Sequence, residues 1–207
     1  MTKNCSFKYA VTVAENAPAY WPAVLRGSFA QTFRTAKELE YDGVEILLRA
    51  PEDFSAEDAI ALASDTGIEI ASVTTGLAKC LDGLTMTDSD IDVRKRTVLR
   101  LKEFVDWAEV VGCCVIVGSI HGNLPDDDMG ASLARTWMRE CFDEVFEYAQ
   151  RQKVEIDLEP INHHEYNVMN STEETMDYIR SFNTTCCKLH LDTLHMYYDE
   201  PDKKVAI

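Results

Sequence analysis

Short apolar runs of strand character alternate with longer helical periods from end to end of the chain, and this alternation restricts the fold more than any other feature. The strand-like runs are Tyr9–Val13, Gly43–Leu48, Ile68–Val73, Val115–Gly118, Glu155–Glu159 and Cys187–Leu191. Between them, Val98, Leu101, Val105 and Ala108 step by three and four along one helix face, and Leu133, Trp137, Cys141, Val145 and Tyr148 predict a second face of the same kind. Ser55 opens a helix and Gly67 sits just past its end. Ser171 and Glu174 form the S-x-x-E signature of a capping box. Strand–helix alternation with short links means parallel strands joined by crossover helices. Two architectures fit: an open doubly wound sheet and a (β/α) barrel. The first strand is not followed by the GxGxxG that the open dinucleotide-binding form would prefer, and no GxxxxGK[ST] occurs.

A complete barrel needs eight strand–helix units and about 250 residues. This chain has 207 residues and six recognisable units. It closes on Val205-Ala206-Ile207, inside what reads as the helix after the sixth strand. No linker or shift of composition divides it, so residues 1–207 read as a single domain, shortened at its C-terminus.

Charge narrows the function. Twenty Lys and Arg stand against 36 Asp and Glu, a formal net charge of −16 with no basic block. Nucleic acid and anionic membrane surfaces both demand the opposite sign. No stretch approaches the roughly 20 apolar residues that cross a bilayer, and the apolar part of MTKNCSFKYAVTV is too short for a signal peptide. The seven cysteines are odd in number, and four of them form the adjacent pairs Cys113/Cys114 and Cys186/Cys187. That is no disulfide framework. Reduced thiols in a cytoplasmic protein are expected, and without CxxC a thiolate zinc site is not.

Reactive groups in parallel α/β folds lie at the carboxyl ends of the strands. The fifth run ends in Leu158-Glu159-Pro160-Ile161-Asn162, with Glu165 close behind. The sixth ends in Leu191-Asp192-Thr193-Leu194-His195. Each places a carboxylate at the last strand position, facing the mouth. A Glu or Asp in such a place is often a loop cap; two on neighbouring strands, each in a polar cluster, favour a site. Oxygen ligands with one imidazole suit Mn²⁺, Mg²⁺ or Co²⁺.

The stretch LEPINHHEYNVMNSTEETMDYI…CCKLHLDTLHM, with E-P-x-N-x-x-E and D-T-x-H intact and in order, resembles the xylose isomerase-like TIM-barrel superfamily of sugar isomerases and epimerases. It is most similar to the ketose 3-epimerase group (tagatose/psicose 3-epimerase-like), sugar-phosphate relatives included. The resemblance implies a (β/α) TIM barrel, incomplete here with about six of eight units. It implies that Glu159 is a metal-binding carboxylate that also acts as acid and base, and that Asp192 is a second ligand. Glu165 and His195 match residues that contact substrate hydroxyls near the reacting carbons. The family draws a further His from its seventh strand and a second catalytic Glu from its eighth. Neither strand lies in this sequence, so little or no turnover is expected of the isolated chain. The implied substrate is a sugar or sugar phosphate. In the implied chemistry a divalent metal stabilises an enediolate while carboxylates move the proton at the carbon beside the carbonyl.

Other residues are weighed singly. His121, in Gly118-Ser119-Ile120-His121-Gly122 after the fourth run, is a candidate contact for a substrate phosphate or hydroxyl, with an ordinary loop residue as the alternative. Glu45 reads as a partner in an interior salt bridge. Trp21, Trp107 and Trp137 read as packing residues. His163 and His164 are adjacent in a loop and diverge, which argues against a shared metal. Strand parity places Glu155, Asp157 and Glu159 on one face, and Lys188, His190 and Asp192 on the facing one. It predicts acid–base contacts below the site, Asp157–His190 foremost, with His190 inclined toward its protonated form. Open first and sixth edges predict association, giving a possible homo-oligomer. Two other functions compete: a non-catalytic scaffold made from a degenerate barrel, and an endonuclease IV-like nuclease. Five histidines and the charge of −16 argue against the nuclease.

Overall fold

A computed structural model describes residues 7–207; Cys5 and the opening MTKNCS lie outside the described residues. Seven parallel strands form one sheet: β1 (Ala10–Ala14), β2 (Leu25–Arg26), β3 (Gly43–Leu47), β4 (Glu69–Thr74), β5 (Cys114–Val117), β6 (Ile156–Leu158) and β7 (Cys187–Leu189). Their spatial order is β2-β1-β3-β4-β5-β6-β7, and the sheet is not closed. All six strand-like runs are strands. The seventh, β2, pairs Leu25 with Val13 and Arg26 with Ala14. Two residues are too few to leave a periodic signal in the sequence. By pairing there, β2 covers the edge of β1 that was expected to be open, so the outer strands are β2 and β7.

The helices are α1 (Phe29–Glu38), α2 (Ala56–Thr66), α3 (Gly76–Asp82), α4 (Ile91–Val111), α5 (Asp128–Gln152), α6 (Thr172–Arg180), α7 (Thr193–Asp199) and α8 (Lys203–Ala206). Among the described residues, no helix is long and apolar enough to cross a membrane. Ser55 caps α2 by accepting from Asp58 N–H, and Gly67 closes it at φ +64°, a conformation that L side chains rarely adopt. Ser171 accepts from Glu174 N–H, while the Glu174 carboxylate returns to Asn170 N–H, one residue earlier than the ordinary capping box.

The face foreseen for α4 is buried at Val98, Leu101, Val105 and Ala108. The face foreseen for α5 is displaced. Leu133 is 46% exposed, and the buried stripe runs Ala134, Met138, Cys141, Phe142, Val145, Phe146, Ala149. Trp137 and Tyr148 lie on its flank, because each has a polar neighbour that rewards partial exposure. The Arg94 guanidinium lies 4.4 Å from the Trp137 ring centroid, and the Tyr148 hydroxyl donates to Asp106 at 2.6 Å.

The two faces of the sheet differ in chemistry. Val11, Val13, Val44, Ile46, Val73, Val115, Val117, Ile156 and Leu158 join the helices in one apolar core. Alternation turns Glu45, Ser72, Cys114, Asp157 and Glu159 to the other, concave face. Lys188 reaches Glu155 at 3.3 Å, as parity anticipated. Asp157 and His190 make no hydrogen bond. Asp157 Oδ1 is buried without a partner, and burial lifts its carboxyl above the ordinary range. Among the described residues Glu45 forms no salt bridge either; it accepts from Ser72 Oγ at 3.3 Å. His190 lies beyond Lys188, the register partner of Asp157, and acts on both carboxyls through its charge without a hydrogen bond to either.

The shifted α5 face yields a test. Phe142→Ala should cost about 3–5 kcal/mol in urea unfolding, whereas Leu133→Ala should cost under about 1 kcal/mol.

Candidate functional site

Glu159 is the first residue beyond β6, and its N–H bonds the Val117 carbonyl at 3.0 Å, so the ladder holds its backbone. Its side chain lies against Gly118. A methyl group at Gly118 would overlap Glu159 Oε2 and crowd Ile161, so glycine is needed there for space. Asp192 does not end its strand as expected. It lies three residues beyond β7 and caps α7, accepting from Leu194 N–H at 2.6 Å. The short β7 leaves room for this turn, and the cap fixes the carboxylate that faces Glu159.

His195, in the first turn of α7, is 11% exposed, and its Nε2 lies 4.0 Å from Glu159 Oε1. One ligand atom from each of Glu159, Asp192 and His195 falls within a 4.8 Å cluster. Distance alone would admit His195 as a third ligand, but its hydrogen bonds argue otherwise. Asn162, 2% exposed, accepts from His164 N–H through Oδ1 at 3.1 Å. Its Nδ2 donates to Glu165 Oε1 and to His195 Nδ1, each at 2.8 Å. A backbone N–H can only donate and a carboxylate can only accept, so the amide orientation is fixed from both sides. Nδ1 of a neutral His195 is therefore the acceptor, and Nε2 carries the proton, pointing toward Glu159 as a donor.

Negative charge dominates the centre. Burial, then Asp192, Glu45 and Glu165, push the Glu159 carboxyl up to about 8. Burial also raises Glu45, with Asp192 adding and His190 and Ser72 opposing. A cluster of hard oxygen donors with unrelieved like charge is the donor set that a divalent cation satisfies.

His121 is fully buried rather than open to the mouth. It sits in a 3-10 turn, Ser119–His121, with Nδ1 bonded to the Gly122 carbonyl at 2.8 Å and its ring edge-on to Tyr166. His163 pairs with Asp199 at 2.6 Å, and His164 packs edge-on against Tyr198. Sequence reasoning left Asn162 and Tyr166 without roles and did not notice Lys79, which donates to the Tyr166 hydroxyl at 2.6 Å. Asn162 stood inside the E-P-x-N-x-x-E pattern, which was the available signal. Lys79 had none.

A parallel strand–helix sheet with an acidic centre at the carboxyl ends of its strands defines a protein of the (β/α) barrel class. The chain belongs to the xylose isomerase-like TIM barrel family, whose model matches residues 33–207. It is 27% identical over 169 residues to a ketose 3-epimerase of Arthrobacter globiformis, covering 80% of this chain and 56% of that protein. It is 30% identical over 166 residues to an L-ribulose 3-epimerase of Methylomonas sp., covering 77% and 55% respectively. The chain thus spans a little over half the length of these relatives. Among solved structures, a D-psicose 3-epimerase from Clostridium cellulolyticum H10 aligns with a TM-score of 0.75 at 20% identity, over 97% of this chain and 68% of that one. A 3-keto-D-glucoside 4-epimerase from E. coli gives 0.77 at 18% identity, over 97% and 74%. At these identities the likeness is one of fold.

Two measurements follow. A carboxyl raised in the folded state adds stability below its ordinary value of 4.5 and loses that contribution as the pH climbs through about 8. In chelator, Glu159→Gln should therefore raise the melting temperature at pH 8–9 and leave it nearly unchanged at pH 4. Gly118→Ala should keep the fold but displace the Glu159 carboxylate, weakening Mn²⁺ binding in calorimetry by about tenfold or more.

Proposed function

We propose that this chain is part of a sugar epimerase that exchanges the proton on the carbon beside a ketose carbonyl, with Glu159 as the proton-transfer group. The observation that carries the reading is the buried Glu159 carboxyl, fixed just beyond β6 with one ligand atom each of Asp192 and His195 in a 4.8 Å cluster. A carboxyl so placed beside a cation site can take and return a proton at a bound carbon. The family relationship, and the 3-epimerase names of the relatives, support the substrate class.

Glu159 and Asp192 would hold the divalent cation, Mn²⁺, Mg²⁺ or Co²⁺, and their oxygen donors and shared negative charge fit it. Once bound, such an ion would supply Lewis acidity to the substrate carbonyl. Glu159 removes the proton and returns it. His195, with Nε2–H set by Asn162, donates to a substrate oxygen beside Glu159. Glu165, held by the same amide, accepts from a neighbouring hydroxyl. The concave polar face of the sheet supplies the floor on which a polyol can lie, and we read residues 1–207 as one domain built around it. The unpaired edge of β7 supports association with further chain or a second copy.

Deuterium wash-in tests the reading. In D₂O with Mn²⁺, the proton beside the carbonyl of L-ribulose or D-fructose should disappear from the NMR spectrum. Glu159→Gln should slow this by about 100-fold or more. Epimer appearing at the rate of exchange would identify a second group acting on the opposite face. Exchange that ignores both Mn²⁺ and Glu159→Gln would overturn the proposal.

A further inference from the structure

Beside the acidic centre lies a second group of polar side chains whose one ammonium makes no ion pair among the described residues. Lys79 projects from α3 with its ammonium half-buried; it donates to the Tyr166 hydroxyl at 2.6 Å and lies 4.2 Å from the centroid of that ring. Burial alone lowers it to about 8; no neighbouring acid acts in the other direction. Ser119 lies near enough to Tyr166 to favour ionisation of its hydroxyl, against the larger effect of burial. His121, fully buried, gives its Nδ1–H to the Gly122 carbonyl, which leaves Nε2 as a bare acceptor, and that atom has no partner. Burial keeps the ring neutral, with its pKa near 4. Buried polar atoms are almost always satisfied, and an ammonium withdrawn from water without an acid is costly. The group thus offers unspent donors from one cation and one unspent acceptor.

Its position connects it to the acidic centre. Ser119 follows Gly118, whose bare Cα backs the Glu159 carboxylate. Tyr166 follows Glu165, and the two side chains sense each other electrostatically. Lys79 also lines a hollow of about 420 Å³ with Thr85, Thr87, Asp88 and Asn123, which opens its ammonium to a bound group; Tyr166, Ser119 and His121 do not line it.

We propose that Lys79, Tyr166, Ser119 and His121 form a subsite for a negatively charged, hydroxyl-bearing end of the substrate, remote from the carbon whose proton is exchanged. Lys79 and the two hydroxyls take the anion, and His121 Nε2 accepts from the neighbouring hydroxyl. The inference rests on the ketose reading above and adds that the ketose is acidic, either a phosphate ester or a sugar acid.

Calorimetry with the full chain decides it, using D-fructose, D-fructose 6-phosphate and the corresponding 6-carboxylate, D-fructuronate. One anionic ketose should bind about tenfold or more tightly than D-fructose, and whichever it is names the anion. Lys79→Met should erase that preference while leaving D-fructose within about twofold, and Lys79→Arg should restore part of it. Should Lys79→Met not fold, Tyr166→Phe carries the test, with an expected loss of about threefold in the preference. Equal binding of all three sugars, or a preference untouched by these variants, removes the subsite and leaves the ketose reading standing. Binding of none of the three removes the ketose reading and the subsite with it.

Discussion

The buried carboxyl of Glu159 is the constraint around which the C-terminal face is organised. Asp192, Glu45 and Glu165 all raise its carboxyl. Such a cluster is unfavourable by itself, since each acid is desolvated in the field of the others. It persists because the backbone beneath it is over-determined: the ladder from Val117 fixes Glu159, the cap of α7 fixes Asp192, and Gly118 leaves the space. Glu159 answers by keeping its proton to about pH 8, and a cation entering the cluster would displace that proton.

The stability that tolerates the cluster comes from the opposite side of the same strands. Ile156 and Leu158 are fully buried against the helix layer, while Asp157 between them and Glu159 after them face the concavity. One alternation thus assigns apolar residues to the core and acidic ones to the site. Asp157 shows the limit of the arrangement. Its unpartnered Oδ1 lies in the layer beneath the site, and burial answers with a raised carboxyl rather than an ion pair.

Periodicity made much of this legible. The six main strands, the α4 face and the Ser55 and Ser171 caps all follow from local pattern, where residues three or four apart report on each other. The features that escaped are those set by distant partners. Two-residue β2 exists only because Val13 and Ala14 offer it a ladder. The α5 stripe moved by one residue because Arg94 and Asp106, on another helix, hold Trp137 and Tyr148 at its margin. Glu45 seemed to want a salt bridge and found Ser72. Lys79, in the unremarked segment GLAKCLD, becomes notable only when the fold shows what surrounds its ammonium.

Asn162 shows how a motif residue can matter through another. Its carbonyl oxygen is taken by His164 N–H, and its two amide hydrogens are divided between Glu165 and His195. That division decides which His195 nitrogen faces Glu159 with a proton on it. Asn162→Asp would invert the arrangement: a carboxylate would accept from Nδ1–H and turn the Nε2 lone pair toward Glu159 and Asp192, as a metal ligand needs. The amide keeps His195 a donor instead, so of the three side chains that lie close enough to share an ion, Glu159 and Asp192 offer oxygen acceptors and His195 offers an N–H. Glu165, tied to the same amide and adjacent in sequence to Tyr166, then links the acidic centre to the Lys79 group through a single turn of chain.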